Sequence, residues 1–340
     1  MQRRSLIPLA VVTVVAVAVA VAAMASGGEG ISRAGPDQRA LPGLAGELGQ
    51  IASVKVERQG LDLTFVRDGD NWRVAQKGNY PADSAKIRRI VLALADLTLV
   101  EPKTREPRLY PRLQVEDPGK GKSTLVNLEN KSSAVLARLI VGKRSFDRLG
   151  EGNDGVYVRK PGDPQSWLAR GSLDFSDDMA NWLDRKIVDI PDKNVEKVSL
   201  TQPDGTTLVL ARNAADAKFA VIGAPPNAKY KDDTALGEPA MALETLDLDD
   251  VAPMASLTPP DEGVTSASFT CFDGMTIDVK LFQHANKNWI ALTATGSGKA
   301  ADEARKIDAR VSRWVYQIPS YKAKMMQTKL ADLLATPKGS

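Results

Sequence analysis

The sequence predicts an α+β fold made of two tandem pseudo-repeats of antiparallel strand meanders, each followed by amphipathic helices, after one N-terminal transmembrane helix. Three observations predict it. Residues Leu6 to Met24 form a charge-free run of nineteen residues behind Arg3 and Arg4. Beyond it, short stretches alternate apolar and polar residues between Gly and Asn turns and are interleaved with helical stripes. The landmarks of these stretches recur at an offset near 150 residues.

A helix rises about 1.5 Å per residue, so the first run is long enough to cross a hydrocarbon core of roughly 30 Å. Cations on its short side place the N-terminus in the cytoplasm and the long polar remainder across the membrane. Ala23-Met24-Ala25 also fits a signal-peptidase site, but the apolar run exceeds the roughly 7–15 residues of a signal peptide, which favours an anchor at residues 1–25. The only cysteine, Cys271, allows neither a lipid-modified N-terminus nor an intrachain disulfide, so stability has to come from packing. Setting Arg3 and Arg4 aside, 43 basic residues face 42 acidic ones, a balance that asks for no nucleic acid.

Residues 26–50 are rich in Gly, Ser, Pro and Ala with no sustained apolar period, and are expected to be a flexible spacer. The fold is expected to begin at Ile51. Val54/Val56, Leu61/Leu63/Phe65 and Trp72/Val74 make three strands, separated by Gln59-Gly60 and by Asp68-Gly69-Asp70-Asn71. After Tyr80-Pro81-Ala82-Asp83, the residues Ile87, Ile90, Val91 and Leu94 fall on one face of a helix capped by Asp83 or Ser84.

The same order returns. Val54-Lys55-Val56 corresponds to Val198-Ser199-Leu200, Leu61 to Val66 to Leu208-Val209-Leu210, and Trp72-Arg73-Val74 to Phe219-Ala220-Val221. Asn79 to Asp83 matches Asn227 through Tyr230 to Asp233, and Leu97…Leu99 matches Leu246…Leu248. Strand-rich stretches follow in each half, over Leu125 to Lys143, Val156 to Val158 and Trp167-Leu168, and over Phe269 to Gln283 and Trp289 to Thr295. Each is expected to lead into a helix that ends in a tryptophan string, Trp182-Leu183-Asp184…Ile190-Pro191 or Trp314-Val315-Tyr316…Pro319. The domains are therefore 51–192 and 193–336.

Strings that suggest chemistry fail on spacing. Gly119-Lys120-Gly121-Lys122-Ser123 lacks the upstream glycine of a phosphate loop, has Glu116 in that place, and precedes a strand instead of a helix. His284 is the only histidine, which excludes zinc sites of the His-Glu-x-x-His kind within the chain, and its place in a hairpin-like turn speaks against a Ser-His-Asp triad. Asp247, Asp249 and Asp250 resemble a calcium loop, but Ala252 and Thr258 stand where its glycine and glutamate belong. Ser320, with Lys322 and Lys324 nearby, is better explained as a helix N-cap after Pro319. The stripe Met326, Leu330, Leu333 and Leu334 predicts one terminal helix whose lysines lie elsewhere on its surface. No catalytic, cofactor-binding or metal residue is expected, and no cofactor.

As a set, the N-terminal anchor, Trp-Arg-Val before Tyr-Pro-Ala-Asp, Leu-Ala-Asp-Leu, Trp-Leu-Asp-Arg-Lys-Ile-Val-Asp-Ile-Pro and Ile-Pro-Ser-Tyr-Lys resemble one family over Ile51 to Leu334. It is the bacterial domain-of-unknown-function family four-three-four-zero. The resemblance implies an accessory role beside gliding-motility-type ABC transporter components and brings no active site. The expectation is a non-enzymatic, periplasmic, single-pass inner-membrane accessory or scaffold subunit, whose partners are an ABC-type permease and ATPase. The alternative is a module that binds a glycan, peptide or lipid, for which Trp72, Trp167, Trp289 and Tyr230 are the candidate surfaces. A hydrolase with an unrecognised site is a third reading.

Overall fold

The computed structural model describes residues 37–146, 154–226, 228–232 and 234–335. The Leu6 to Met24 run lies outside them. Among the described residues no helix is long and apolar enough to cross a membrane.

The fold is mostly antiparallel sheet with a few helices, an α+β architecture. A short helix, α1 (Leu44–Glu47), leads into β1 (Ile51–Arg58), β2 (Leu61–Asp68) and β3 (Asn71–Val74). Val54, Val56, Leu63, Phe65, Trp72 and Val74 are all buried, as their period of two requires. The turns between these strands are two residues long and carry Gly60 and Gly69 at φ 79° and 61°, the left-handed region that tight hairpins use. Next come β4 (Tyr80–Pro81), α2 (Ser84–Asp96), β5 (Thr98–Pro102) and α3 (Tyr110–Leu113). The backbone N–H of Lys86 donates to the Asp83 carboxylate at 2.9 Å, which caps α2 as the sequence predicts. A second meander follows in β6 (Thr124–Asn130), β7 (Val135–Ser145), β8 (Gly155–Arg159) and β9 (Ser166–Arg170).

The rest of the chain holds β10 (Lys186–Val188), β11 (Val195–Thr201), β12 (Thr207–Ala211), β13 (Ala220–Val221), β14 (Leu246–Asp247), β15 (Asp250–Pro253), β16 (Thr265–Cys271), β17 (Met275–His284) and β18 (Lys287–Gly296). It closes with α4 (Ala301–Val311), β19 (Trp314–Gln317), α5 (Ser320–Met326) and α6 (Leu330–Leu333). The first large sheet has the order β4-β3-β2-β1-β6-β7-β8-β9-β5, and the second has β13-β12-β11-β16-β17-β18-β19-β15. The pair β10-β14 stands as a small sheet of its own.

By contact density the described residues form two compact units. One comprises 37–51, 55–62 and 90–174, and the other 52–54, 63–89 and 175–335. The first unit has a buried cluster of Tyr110, Val115, Leu125, Ile140, Tyr157 and Leu168. In the second, Phe282, Trp289, Ala291 and Val315 form another.

Four expectations are corrected. From Asp37 onward the supposed spacer is packed: Ala40, Leu41 and Leu44 are buried, and backbone bonds join Asp37 and Ala40 to Leu99 and Leu97. Composition misleads there because a short edge strand needs only a few apolar anchors. The helices do not follow each repeat as predicted. Gly237 and Pro239 leave only a six-residue 3-10 stretch, Glu238–Leu243, where the counterpart of α2 was expected. Before the Trp182 string there is likewise only a 3-10 turn, Met179–Trp182, capped by Asp178. The Ser- and Asp-rich residues ahead of it favour turns over a longer helix. The C-terminal helix breaks at Gln327 to Lys329, and Lys322 is buried instead of lying on its surface. Ser320 is the first helical residue, Pro319 is the N-cap, and the Ser320 hydroxyl accepts a bond from the Asn288 amide.

Candidate functional site

The second unit contains a cleft of about 590 Å³ lined by residues from three stretches, Asn71-Trp72-Arg73, Pro81 to Ser84, and Ala180 to Arg185. Each stretch is one of the strings that stand out in the sequence. Backbone pairing holds them together. The Ala82 N–H donates to the Trp72 carbonyl at 2.8 Å, the Asp83 N–H to that of Trp182 at 3.0 Å, and the Asp184 N–H to that of Pro81 at 3.0 Å. Ala82 and Leu183 form an antiparallel bridge. The Ser84 hydroxyl accepts the Trp72 N–H at 2.9 Å, tying the start of α2 to β3.

Side chains reinforce this frame. The Tyr80 hydroxyl donates to the Asp184 carbonyl at 3.1 Å, and burial pushes the phenol well above its ordinary range, so it stays protonated. Lys86 donates to the Asn181 carbonyl at 3.0 Å and lies 4.3 Å over the Trp182 ring. The guanidinium of Arg73 bonds Asp68 at 2.6 Å and the Asn79 carbonyl at 3.3 Å. Arg185 reaches the Leu248 carbonyl at 3.4 Å, while Asp184 and Arg185 face solvent. The lining thus offers carboxylates at Asp83 and Asp184, guanidiniums at Arg73 and Arg185, and amide and hydroxyl groups. Such a balanced set suits hydrogen bonding to a polar surface. Trp72 contributes a wall but is only 4% exposed, so its ring is not available for stacking.

A model described as a domain of unknown function (DUF4340) matches residues 72–266, more than half of the chain. The chain belongs to the DUF4340 family. No curated protein and no solved structure matches it. The DUF4340 match begins at the wall of the cleft and takes in every lining residue except Asn71. It also runs across residue 192, where the sequence suggested a domain boundary.

The strings that suggested chemistry fall elsewhere. The lysine-rich turn is a surface turn followed by β6, as predicted, and Lys120 lines a separate cleft of about 480 Å³ in the first unit. At that cleft Arg159 is buried and fully engaged. It donates to the Val115 carbonyl at 2.8 Å, the Asp163 carbonyl at 3.2 Å and the Asp117 carboxylate at 2.5 Å, and stacks 4.6 Å from Tyr110. The bond from Arg159 holds the Asp117 carboxyl below the usual carboxylate range.

His284 ends β17 and pairs with Lys287 across the two-residue turn Ala285-Asn286, the predicted hairpin. Asp250 pairs with Lys77 at 2.6 Å, Asp247 lies in β14, and burial raises the Asp249 carboxyl, helped by Asp178. Among the described residues no three acids, histidines or cysteines cluster as metal ligands. Trp167 and Trp289 are buried like Trp72, so these rings do not offer a ligand surface, and Tyr230 is half-buried and bridges to Leu334. Cys271 is buried, and burial pushes its thiol up to about 11.

Asn71, Ser84, Asn181 and Arg185 have no chemical signature in the sequence. Their proximity to the landmark strings was the only signal that could have marked them. Lys322, placed on a helix surface from its sequence, instead donates to the carbonyls of Met241 and Glu244 from a buried position.

Proposed function

We propose that this DUF4340 protein is a non-enzymatic accessory or scaffold subunit that engages a partner through the polar cleft of its second unit. The observation that carries the reading is the use made of the landmark strings. Trp72-Arg73, Pro81 to Ser84 and Leu183 to Arg185 spend their backbone groups on one another and leave Asp184, Arg185 and Asn181 at the rim. The partner is an ABC-type permease with its ATPase, by the family resemblance. The chain is held beside them in the bacterial inner membrane by Leu6 to Met24, with the described residues periplasmic. Twelve residues separate Met24 from Asp37, the first described residue. Even fully extended, they reach only about 40 Å. Tethering at that range raises the effective concentration of even a weak contact.

The two large sheets support an internal repeat. Reading β3-β2-β1-β6-β7-β8-β9-β5 against β13-β12-β11-β16-β17-β18-β19-β15 gives the same connectivity. Ala82 bridges Leu183 as Tyr230 bridges Leu334, so each half closes on its own turn in the same way.

The test is recovery from cells at native expression. Detergent-solubilised pull-downs should bring down an ABC permease and ATPase, and Asp184→Ala with Arg185→Ala should weaken that recovery without lowering the amount of folded protein. Recovery of soluble periplasmic enzymes alone, or turnover of a substrate abolished by one point mutation, would refute the reading. The cleft also supports a second reading, capture of a polar ligand. That reading predicts a stabilised second unit when the ligand is added to the purified chain, with no transporter present.

A further inference from the structure

We propose that the outer edge of β5 is a strand-accepting seat, filled here by residues 37–44 of the same chain and able to take that segment from a second copy. The segment lies along β5 in antiparallel register, with Arg39 opposite Thr98. Asp37 donates to the Leu99 carbonyl at 2.7 Å, Leu99 to that of Gln38 at 2.8 Å, and Ala40 to that of Leu97 at 2.7 Å. Arg39 and Asp96 form an ion pair at 3.2 Å. Ala40 is buried and lines a small cavity together with Leu99, Leu139, Val158 and Trp167, and Leu41 and Leu44 are buried too. Without these residues β5 would be an open edge beside β9, with free N–H and C=O groups that pair with any suitable extended chain.

The second unit contains an independent instance of the same arrangement. There Leu246-Asp247-Leu248 takes the place of Leu97-Thr98-Leu99, and the incoming strand is β10. Lys186 lies opposite Asp247, and Leu248 donates to the Arg185 carbonyl at 2.9 Å. In both places a segment preceding the meander is laid on a buried Leu-x-Leu edge. The acceptor is therefore a recurrent feature of the fold. The donor 37–44 is hydrogen-bonded to the sheet at its edge, through β5, and such edge elements are among the first to open. Exchange of an identical edge segment between copies preserves every contact and costs little beyond association.

The experiment uses the full-length chain carrying Arg39→Cys and Thr98→Cys. These positions are a non-hydrogen-bonded pair, where side chains approach closely enough for a disulfide, and the native Cys271 is buried. A fluorescent peptide with the sequence of residues 37–50 is the probe. The reduced protein should take up the peptide and retain it through gel filtration, and the oxidised protein should refuse it. A peptide with Asp in place of Ala40 should not be retained by either form. Failure of the disulfide to form, no uptake by the reduced chain, or equal uptake by both forms would overturn the proposal.

Discussion

The ring of Tyr80 meets that of Trp314 edge-on, with centroids 5.0 Å apart and planes at 90°. Tyr316 lies 6.1 Å from Tyr80 on another side. This geometry is favourable for aromatic pairs, and it joins the β4 edge to β19 within the second unit. Trp314→Ala should therefore destabilise the chain by about 2 kcal/mol, and Tyr80→Phe, which removes the hydroxyl's bonds to the Asp184 carbonyl and to Tyr316, by about 1 kcal/mol. Urea unfolding followed by tryptophan fluorescence measures both. Equal effects would mean that the hydroxyl, and not the ring contact, dominates.

Gly78 sits at φ 64°, and a Cβ there would come within 2.5 Å of the Pro253 ring. Gly60, at φ 79°, has open space around it. Both substitutions to alanine pay for the left-handed backbone, about 1 kcal/mol, but only Gly78→Ala adds a clash. The ordering Gly78→Ala worse than Gly60→Ala, read from denaturation midpoints, is the expected result.

Burial lowers the pKa of Lys322 from its ordinary value, against the opposing pull of Glu244. Between the lowered folded pKa and the unfolded value of about 10.4, the unfolded chain binds more protons. Stability contributed by this group therefore rises with pH through that window. Lys322→Met should flatten the rise and, by removing the bonds to the Met241 and Glu244 carbonyls, cost about 1–2 kcal/mol at neutral pH. Denaturation of both proteins across the alkaline range would show it.

Asp117 gives the opposite sign. Its carboxyl is held below the usual range by Arg159, so its contribution is complete above the unfolded pKa of about 3.9 and is lost as pH falls through the folded value. Asp117→Asn should shrink the acid limb, to which Asp189, Asp204 and Asp232 also contribute, while weakening the protein at neutral pH, because Arg159 stays buried without its counter-charge. An acid limb of unchanged size would refute the contribution of Asp117.

Local pattern was enough for the strands. Leu63, Phe65, Trp72 and Val74 alternate in sequence and are buried as the alternation requires, because one face of a pleated strand must leave water. The α2 stripe and its Asp83 cap were legible for the same reason, since helix period and capping are properties of a few neighbouring residues. The landmark strings were visible too, though only as recurring patterns without chemistry.

Pairing between distant residues was not legible. Residues 37–44 look like linker because their bonds are made to Leu97 and Leu99, and edge pairing is a backbone property with little side-chain signature. Lys322 looks like a surface residue until the 3-10 stretch at Glu238–Leu243 and its C-cap Glu244 supply two carbonyls for it. The cleft arises in the same way. By itself the sequence determined where the alternating strands and α2 form, because those choices depend on near neighbours. Tertiary structure alone brought Trp72, Asp83 and Asp184 to one polar cleft, because strand register and sheet order bring together residues whose separation along the chain carries no information about their distance in space.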